Sequence, residues 1–147
     1  MKKIILLFLT LSTIVLTSCD SNDNENTNPL TGTWVNEKII YKENGDIVAI
    51  ENLSEVTCRK PELIISENYV QLFFYSENEE EYCELETNRN KKINSRINDK
   101  TIELLYKGNT IETYKIVKLS SEELITKIEK INDTGRVKTD EYYYTRK

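Results

Sequence analysis

The chain has 147 residues, a formal charge of −5, no histidine, three cysteines, nine tyrosines, four glycines and two prolines. That length suits one domain with a core of its own, and an acidic chain is repelled by nucleic acid and by anionic headgroups. The lack of histidine removes the usual neutral-pH acid–base group and the commonest metal ligand, so neither a metal site nor a cofactor is expected.

Residues 1–18 have the three parts of a secretory leader. Lys2 and Lys3 give a positive start, Ile4 to Leu16 an apolar stretch, and Leu16-Thr17-Ser18-Cys19 a cleavage site. The apolar stretch has 13 residues, too few for a spanning helix of ~20. Asp20 to Asn28 holds no apolar residue and reads as a solvated tether within residues 19–29, closed by Pro29.

From Leu30 the chain alternates apolar or β-branched runs with turn residues, and residues 30–147 form the expected domain. Gly32 and Trp34 open it: glycine permits a bend or a close backbone approach, and tryptophan plugs one end of a small β structure. The spacing predicts strands over Thr33 to Lys42 and Ile47 to Ile50, joined by Asn44-Gly45, the strongest hairpin dipeptide. Glu51 to Lys60 reads as a polar loop or short helical turn, with Leu53 and Val56 three residues apart.

Strands follow at Leu63 to Ser66 and Tyr69 to Ser76. Both faces of the latter are apolar, which predicts a strand deep in the sheet. Glu77 to Glu81 reads as a solvated acidic loop tip without the regular oxygen spacing of a calcium loop. Tyr82 to Thr87, Lys92 to Ile97, Thr101 to Tyr106, Thr110 to Lys118, Glu123 to Ile131 and Val137 to Arg146 complete the series. Short strands in sequence order with tight turns predict an all-β, antiparallel up-and-down meander of eight to ten strands, closed into a small barrel that leaves no exposed edge. A two-sheet sandwich is the competing architecture.

Leu16-Thr17-Ser18-Cys19 resembles a lipobox, which implies that Cys19 begins the mature chain and carries acyl chains such as palmitate. The acidic run after it resembles the surface-export signals of Bacteroidetes lipoproteins. Together with Gly32, Trp34 and the meander, these features resemble the lipocalin-like lipoproteins of Bacteroidetes. The likeness extends to Ile97-Asn98-Asp99-Lys100-Thr101-Ile102-Glu103-Leu104, to Leu119-Ser120-Ser121-Glu122-Glu123-Leu124, and to Cys58 and Cys83. Two features depart from it: Glu67-Asn68 stands where Asp-Gly is usual, and a second Gly-x-Trp near Asn94 to Arg96 is missing. The resemblance implies a lipid-anchored envelope protein, at the outer membrane and in one form surface-exposed, with Arg146 packing across Trp34 to close the barrel.

Two cysteines remain beside Cys19, an even number in an exported chain. Cys58 and Cys83 then form a disulfide or stay as two free thiols. Tyr142, Tyr144 and Arg146 share one strand face, so inward tyrosines would line a lumen or fill a core. Phosphate-loop, nucleophile-elbow and histidine-triad motifs are absent, and no enzyme is expected. Two functions follow: a tethered barrel holding a small apolar or amphipathic ligand, or a solid barrel that meets other macromolecules through its loops or acidic surface.

Overall fold

The computed structural model describes residues 28–55, 58–78 and 82–147. The leader, Cys19, most of the tether, Val56 and residues 79–81 of the acidic run lie outside them. Eleven strands are present among the described residues: β1 (Gly32–Glu43), β2 (Asp46–Asn52), β3 (Glu62–Ile65), β4 (Tyr69–Phe73), β5 (Tyr75–Glu77), β6 (Cys83–Leu85), β7 (Lys92–Ile97), β8 (Thr101–Tyr106), β9 (Asn109–Leu119), β10 (Glu123–Ile131) and β11 (Val137–Arg146).

Closure rests on β1, whose two edges are both occupied along most of its length. One edge pairs antiparallel with β11, from Trp34 opposite Arg146 to Glu43 opposite Lys138. The other edge is shared: Gly32 to Val35 pair with β3, and Lys38 to Glu43 pair with β2. Running β1-β3-β4-β7-β8-β9-β10-β11 and back to β1 gives an antiparallel closed barrel of 8 strands in up-and-down order. The sandwich is thereby set aside. Because β3 returns to β1 and not to β2, β2 lies outside the ring as the second arm of a hairpin. Its turn places Asn44 at φ 51° and Gly45 at φ 93°, the pair of positive angles that an Asn-Gly turn adopts readily.

The stretch Tyr69 to Ser76 corrects the expectation of one deep strand. It breaks at Phe74, whose backbone N–H donates to Asn90 Oδ1 (2.9 Å) while its carbonyl accepts from the Glu86 N–H (2.9 Å). Beyond the break, β5 pairs only with β6 in a separate two-stranded sheet. The second apolar face has a surface explanation: Tyr69 lies on the outside under Lys92, whose Nζ sits 3.6 Å from the ring centroid. A cation over an aromatic face stabilises an exposed ring without burying it.

A β-bulge interrupts β1 between Asn36 and Lys38. An extra residue there reverses the alternation of the strand. Trp34 and Asn36 face inward before the bulge, and Ile39 and Tyr41 line the interior after it. Lys38 and Lys42 are thereby turned outward, Lys38 over the Tyr143 ring at 4.4 Å and Lys42 onto Glu141 at 2.7 Å. The core gathers at the Trp34 end, where Leu30, Trp34, Leu63, Ile65, Val70, Ile102, Leu104, Leu124 and Tyr144 are buried together.

Candidate functional site

Trp34 forms the floor of the barrel. It is fully buried, and its indole N–H donates to the Leu30 carbonyl at 2.9 Å. The Arg146 guanidinium covers the ring at 4.3 Å from the centroid. It also donates to three backbone carbonyls: Nε to Ser121 at 2.7 Å, Nη1 to Thr31 at 3.0 Å, and Nη2 to Pro29. One planar cation thus ties the N-terminal entry segment, the β9–β10 turn and the last strand to one ring, as a rigid fork of donors permits. Gly32 leaves room for it: a Cβ there would meet Arg146 Nη1 at 2.7 Å, and φ is +144°.

Above this floor the barrel holds a cavity of about 390 Å³. The engineered 150 Å³ cavity that accepts benzene sets a scale, and by it this space takes roughly 15 non-hydrogen atoms. Leu53, Leu63, Val70, Leu72, Ile102 and Leu104 supply most of the apolar wall. Leu53 enters from a short 3-10 turn, Leu53–Glu55, that follows β2. The lower part of the barrel is therefore filled by its own side chains and the upper part is not.

Tyr114, Tyr142 and Tyr144 form an aromatic ladder along one wall. Tyr142 lies 5.9 Å edge-on from Tyr114 and 6.4 Å stacked from Tyr144. Burial raises the pKa of all three hydroxyls, Tyr142 to about 12. The Tyr114 hydroxyl donates to Glu112 at 2.7 Å, which raises it further, and the Thr126 hydroxyl acts on Tyr144 in the opposite sense. The ladder is neutral at physiological pH.

Asn36 and Thr126, both buried, border the same space. Asn36 stands opposite Tyr144 in the β1–β11 register and opposite no charged group there. Its Oδ1 is buried and accepts no hydrogen bond.

The mouth lies away from Trp34 and carries charge. Arg59 stacks on Tyr75 (4.9 Å) and pairs with Glu62 (2.6 Å), while Arg89 stacks on Phe74 (4.1 Å) and pairs with Glu86 (3.1 Å). The Tyr41 hydroxyl, also on the cavity wall, donates to Glu51 at 2.9 Å. Burial and that carboxylate together push Tyr41 up to about 12. Cys58 borders the cavity and is joined to Cys83 with a Cα–Cα distance of 5.4 Å, tying the segment after β2 to β6 beside the mouth. The Arg59 N–H also points at Cys83 Sγ, 3.2 Å away.

Among the residues singled out from the sequence, Gly32, Trp34 and Arg146 meet at the closed end, Tyr142 and Tyr144 border the cavity, and Cys58 and Cys83 stand near its mouth. Cys19 lies outside the described residues. Sequence reading missed Asn36, Thr126 and Tyr114, as well as Arg59 and Arg89. Tyr114 carried a usable signal, since it alternates with Glu112 and Ile116 on β9. Asn36 carried one as well, since it follows Trp34 by two residues on the same strand face. No group of three or more acidic, cysteine or histidine side chains able to hold a metal ion occurs among the described residues.

No protein-family model and no curated protein matches this sequence. Among solved structures, bovine odorant-binding protein in complex with its natural ligand is 18% identical at a TM-score of 0.44, covering 84% of this chain and 74% of that one. The same protein in complex with undecanal gives the same values, 18% identity, 0.44, 84% and 74%. Apocrustacyanin C1 is 9% identical at a TM-score of 0.48, covering 85% of this chain and 64% of that chain, so the likeness spans less than two thirds of its length. By strand number, up-and-down order and closure, the barrel described here is lipocalin-like.

Proposed function

We propose that this protein is a binding protein of the bacterial envelope, holding one small apolar or amphipathic molecule inside its barrel. The observation that carries this reading is the cavity of about 390 Å³, walled by aliphatic side chains and a neutral tyrosine ladder above a sealed floor. A concave, mostly apolar space with a few placed polar groups is what a small-ligand site requires. Binding, not catalysis, suits a wall that presents neutral phenols and no histidine.

The sequence Leu16-Thr17-Ser18-Cys19 supports the further proposal of a lipid anchor at Cys19, in the manner of Bacteroidetes outer-membrane lipoproteins. More than one acyl chain is needed for stable anchoring, at about 0.8 kcal/mol per buried CH₂.

Native mass spectrometry of the chain purified from its own cell tests the first part. A retained small molecule, lost when Leu72→Trp fills the cavity, is the expected result. A chain that carries nothing and binds no small apolar fluorophore refutes it. Palmitate-probe labelling tests the second part: wild type labels and Cys19→Ala does not, and equal labelling of both removes the anchor.

A further inference from the structure

The cavity has three polar features that an aliphatic ligand leaves unused, and together they describe its occupant. The first is Asn36. Its side chain is 6% exposed and borders the cavity, yet its Oδ1 accepts no hydrogen bond. A buried amide left unpaired is destabilising, and interiors pair such groups almost without exception. Asn36 follows Trp34 by two residues on the same inner strand face, and the bulge comes only after it.

The second feature is the state of the cations at the mouth. Arg59 and Arg89 both border the cavity, but each is already held by a carboxylate, Glu62 at 2.6 Å and Glu86 at 3.1 Å. Glu62 is held in addition by Lys147 at 2.7 Å, outside the cavity wall. The third is Glu51, which also borders the cavity and accepts from the neutral Tyr41 hydroxyl. Asp140 and Glu112 join Glu51 in acting on the Tyr142 hydroxyl and raising its pKa. Of these, Glu112 is paired with Lys130 at 3.0 Å. An entering carboxylate therefore finds both lining cations already engaged and the carboxylates of Glu51, Glu62 and Glu86 beside them, with no free counter-charge among the described lining residues.

We infer that the ligand is an amphiphile with an uncharged polar end, a hydroxyl in its simplest form, seated against Asn36 with its apolar body along the tyrosine ladder. A hydroxyl both donates and accepts, so it pairs with the Asn36 amide whichever of its two atoms turns to the cavity. A hydrocarbon leaves the Asn36 Oδ1 unpaired, and a carboxylate finds no free counter-charge at the described mouth. The inference deepens the proposed binding function and rests on it.

The test uses the full chain in phosphatidylcholine nanodiscs, with three probes of nearly equal size: 1-decanol, undecane and decanoate. Each is read by displacement of an apolar fluorophore from wild type, Asn36→Leu and Asn36→Ala. Partition of each probe is measured on empty discs and affinities are referred to free probe, so they compare between proteins and between probes. Asn36→Leu is expected to weaken 1-decanol about tenfold, the cost of one unmade buried hydrogen bond. Undecane should be held or tightened in the same variant, which shows that the cavity is intact. Asn36→Ala, which leaves space in place of the amide, should reproduce the loss for 1-decanol. Decanoate should displace least from wild type. Equal effects of Asn36→Leu on 1-decanol and undecane, or decanoate as the strongest wild-type competitor, overturn the inference while leaving the cavity a binding site. Failure of all three probes to displace removes the proposed function as well.

Discussion

Removing the contact between Trp34 and Arg146 should unfasten the closed end, and the structure sets the size of the effect. Trp34 is fully buried, so Trp34→Ala is expected to cost ~3–5 kcal/mol as an aromatic truncation. Arg146→Ala loses the contact with the ring, worth ~1–2 kcal/mol. It also loses donors to the Ser121, Thr31 and Pro29 carbonyls. Charged hydrogen bonds contribute about 1.5–3 kcal/mol each when buried, but two of these are exposed, so the whole substitution is expected to cost about 3 kcal/mol.

The double variant should fall short of the sum by the shared ring–cation contact, ~1–2 kcal/mol. Arg146→Lys, which keeps the charge but cannot span separate carbonyls, should lose more than half as much as Arg146→Ala. Urea unfolding followed by far-ultraviolet circular dichroism measures wild type and all four variants, since Trp34 is the single tryptophan and its fluorescence disappears with it. The summed cost approaches the ~5–15 kcal/mol stability of a typical domain, so an excluded osmolyte at fixed concentration should raise every baseline equally. Coupling below ~0.5 kcal/mol at unchanged m-values would refute the reasoning, because the ring and the guanidinium would then act independently.

Gly32→Ala places a Cβ 2.7 Å from Arg146 Nη1 at a φ of +144°; it should cost ~1–3 kcal/mol by the same urea assay, and less in the Arg146→Ala background, where the clash is gone. Reducing Cys58–Cys83, which are separated by 25 residues, should destabilise by about 3.5 kcal/mol in the chain-entropy account and lower the calorimetric Tm by roughly 10 °C; an unchanged Tm would mean the closed segment does not limit unfolding. The tyrosine shifts predict the alkaline limb: Tyr41, Tyr114, Tyr142 and Tyr144 are all raised in the folded chain, chiefly by burial, so their contribution is complete below the unfolded value of ~10 and is lost as pH rises beyond it. Absorbance at 295 nm should therefore show a tyrosine fraction whose ionisation coincides with unfolding, and complete titration near pH 10 with the fold intact would contradict it. In acid the sign reverses, because hydrogen bonds from Lys115 and Lys127 hold Glu129 at about 2 and those from Lys147 and Arg59 outweigh burial to hold Glu62 low; stability should fall as pH drops below the usual 4.5 of these carboxyls.

The strands themselves were legible because their signals are local. Lys92 to Ile97, Thr101 to Tyr106, Glu123 to Ile131 and Val137 to Arg146 have the bounds that alternation and turn residues assign to them. Asn44-Gly45 marks its hairpin by the angles its residues adopt without strain. The error at Tyr69 to Ser76 arose where alternation reads the same for a buried strand and for an outer face covered by Lys92. A partner 16 residues along the chain, Asn90, decided where that strand ends.

The sequence by itself determined the all-β class, the order of the strands and the hairpin turns, each of which depends on propensities and patterns within a few neighbours. The meeting of Gly32, Trp34 and Arg146 at the closed end was implied by the family resemblance. The tertiary structure alone decided that β2 lies outside the ring, because β3 competes for the same edge of β1. It alone decided which face of β1 looks inward: strict alternation from Trp34 would have aimed Lys38 and Lys42 into the lumen, and the bulge after Asn36 sends Ile39 and Tyr41 there in their place. Whether a barrel is solid or hollow is a difference between the space its strands enclose and the volume of the side chains that enter it. That difference is set by register and bulges across the whole ring, so the cavity came into view only with the fold.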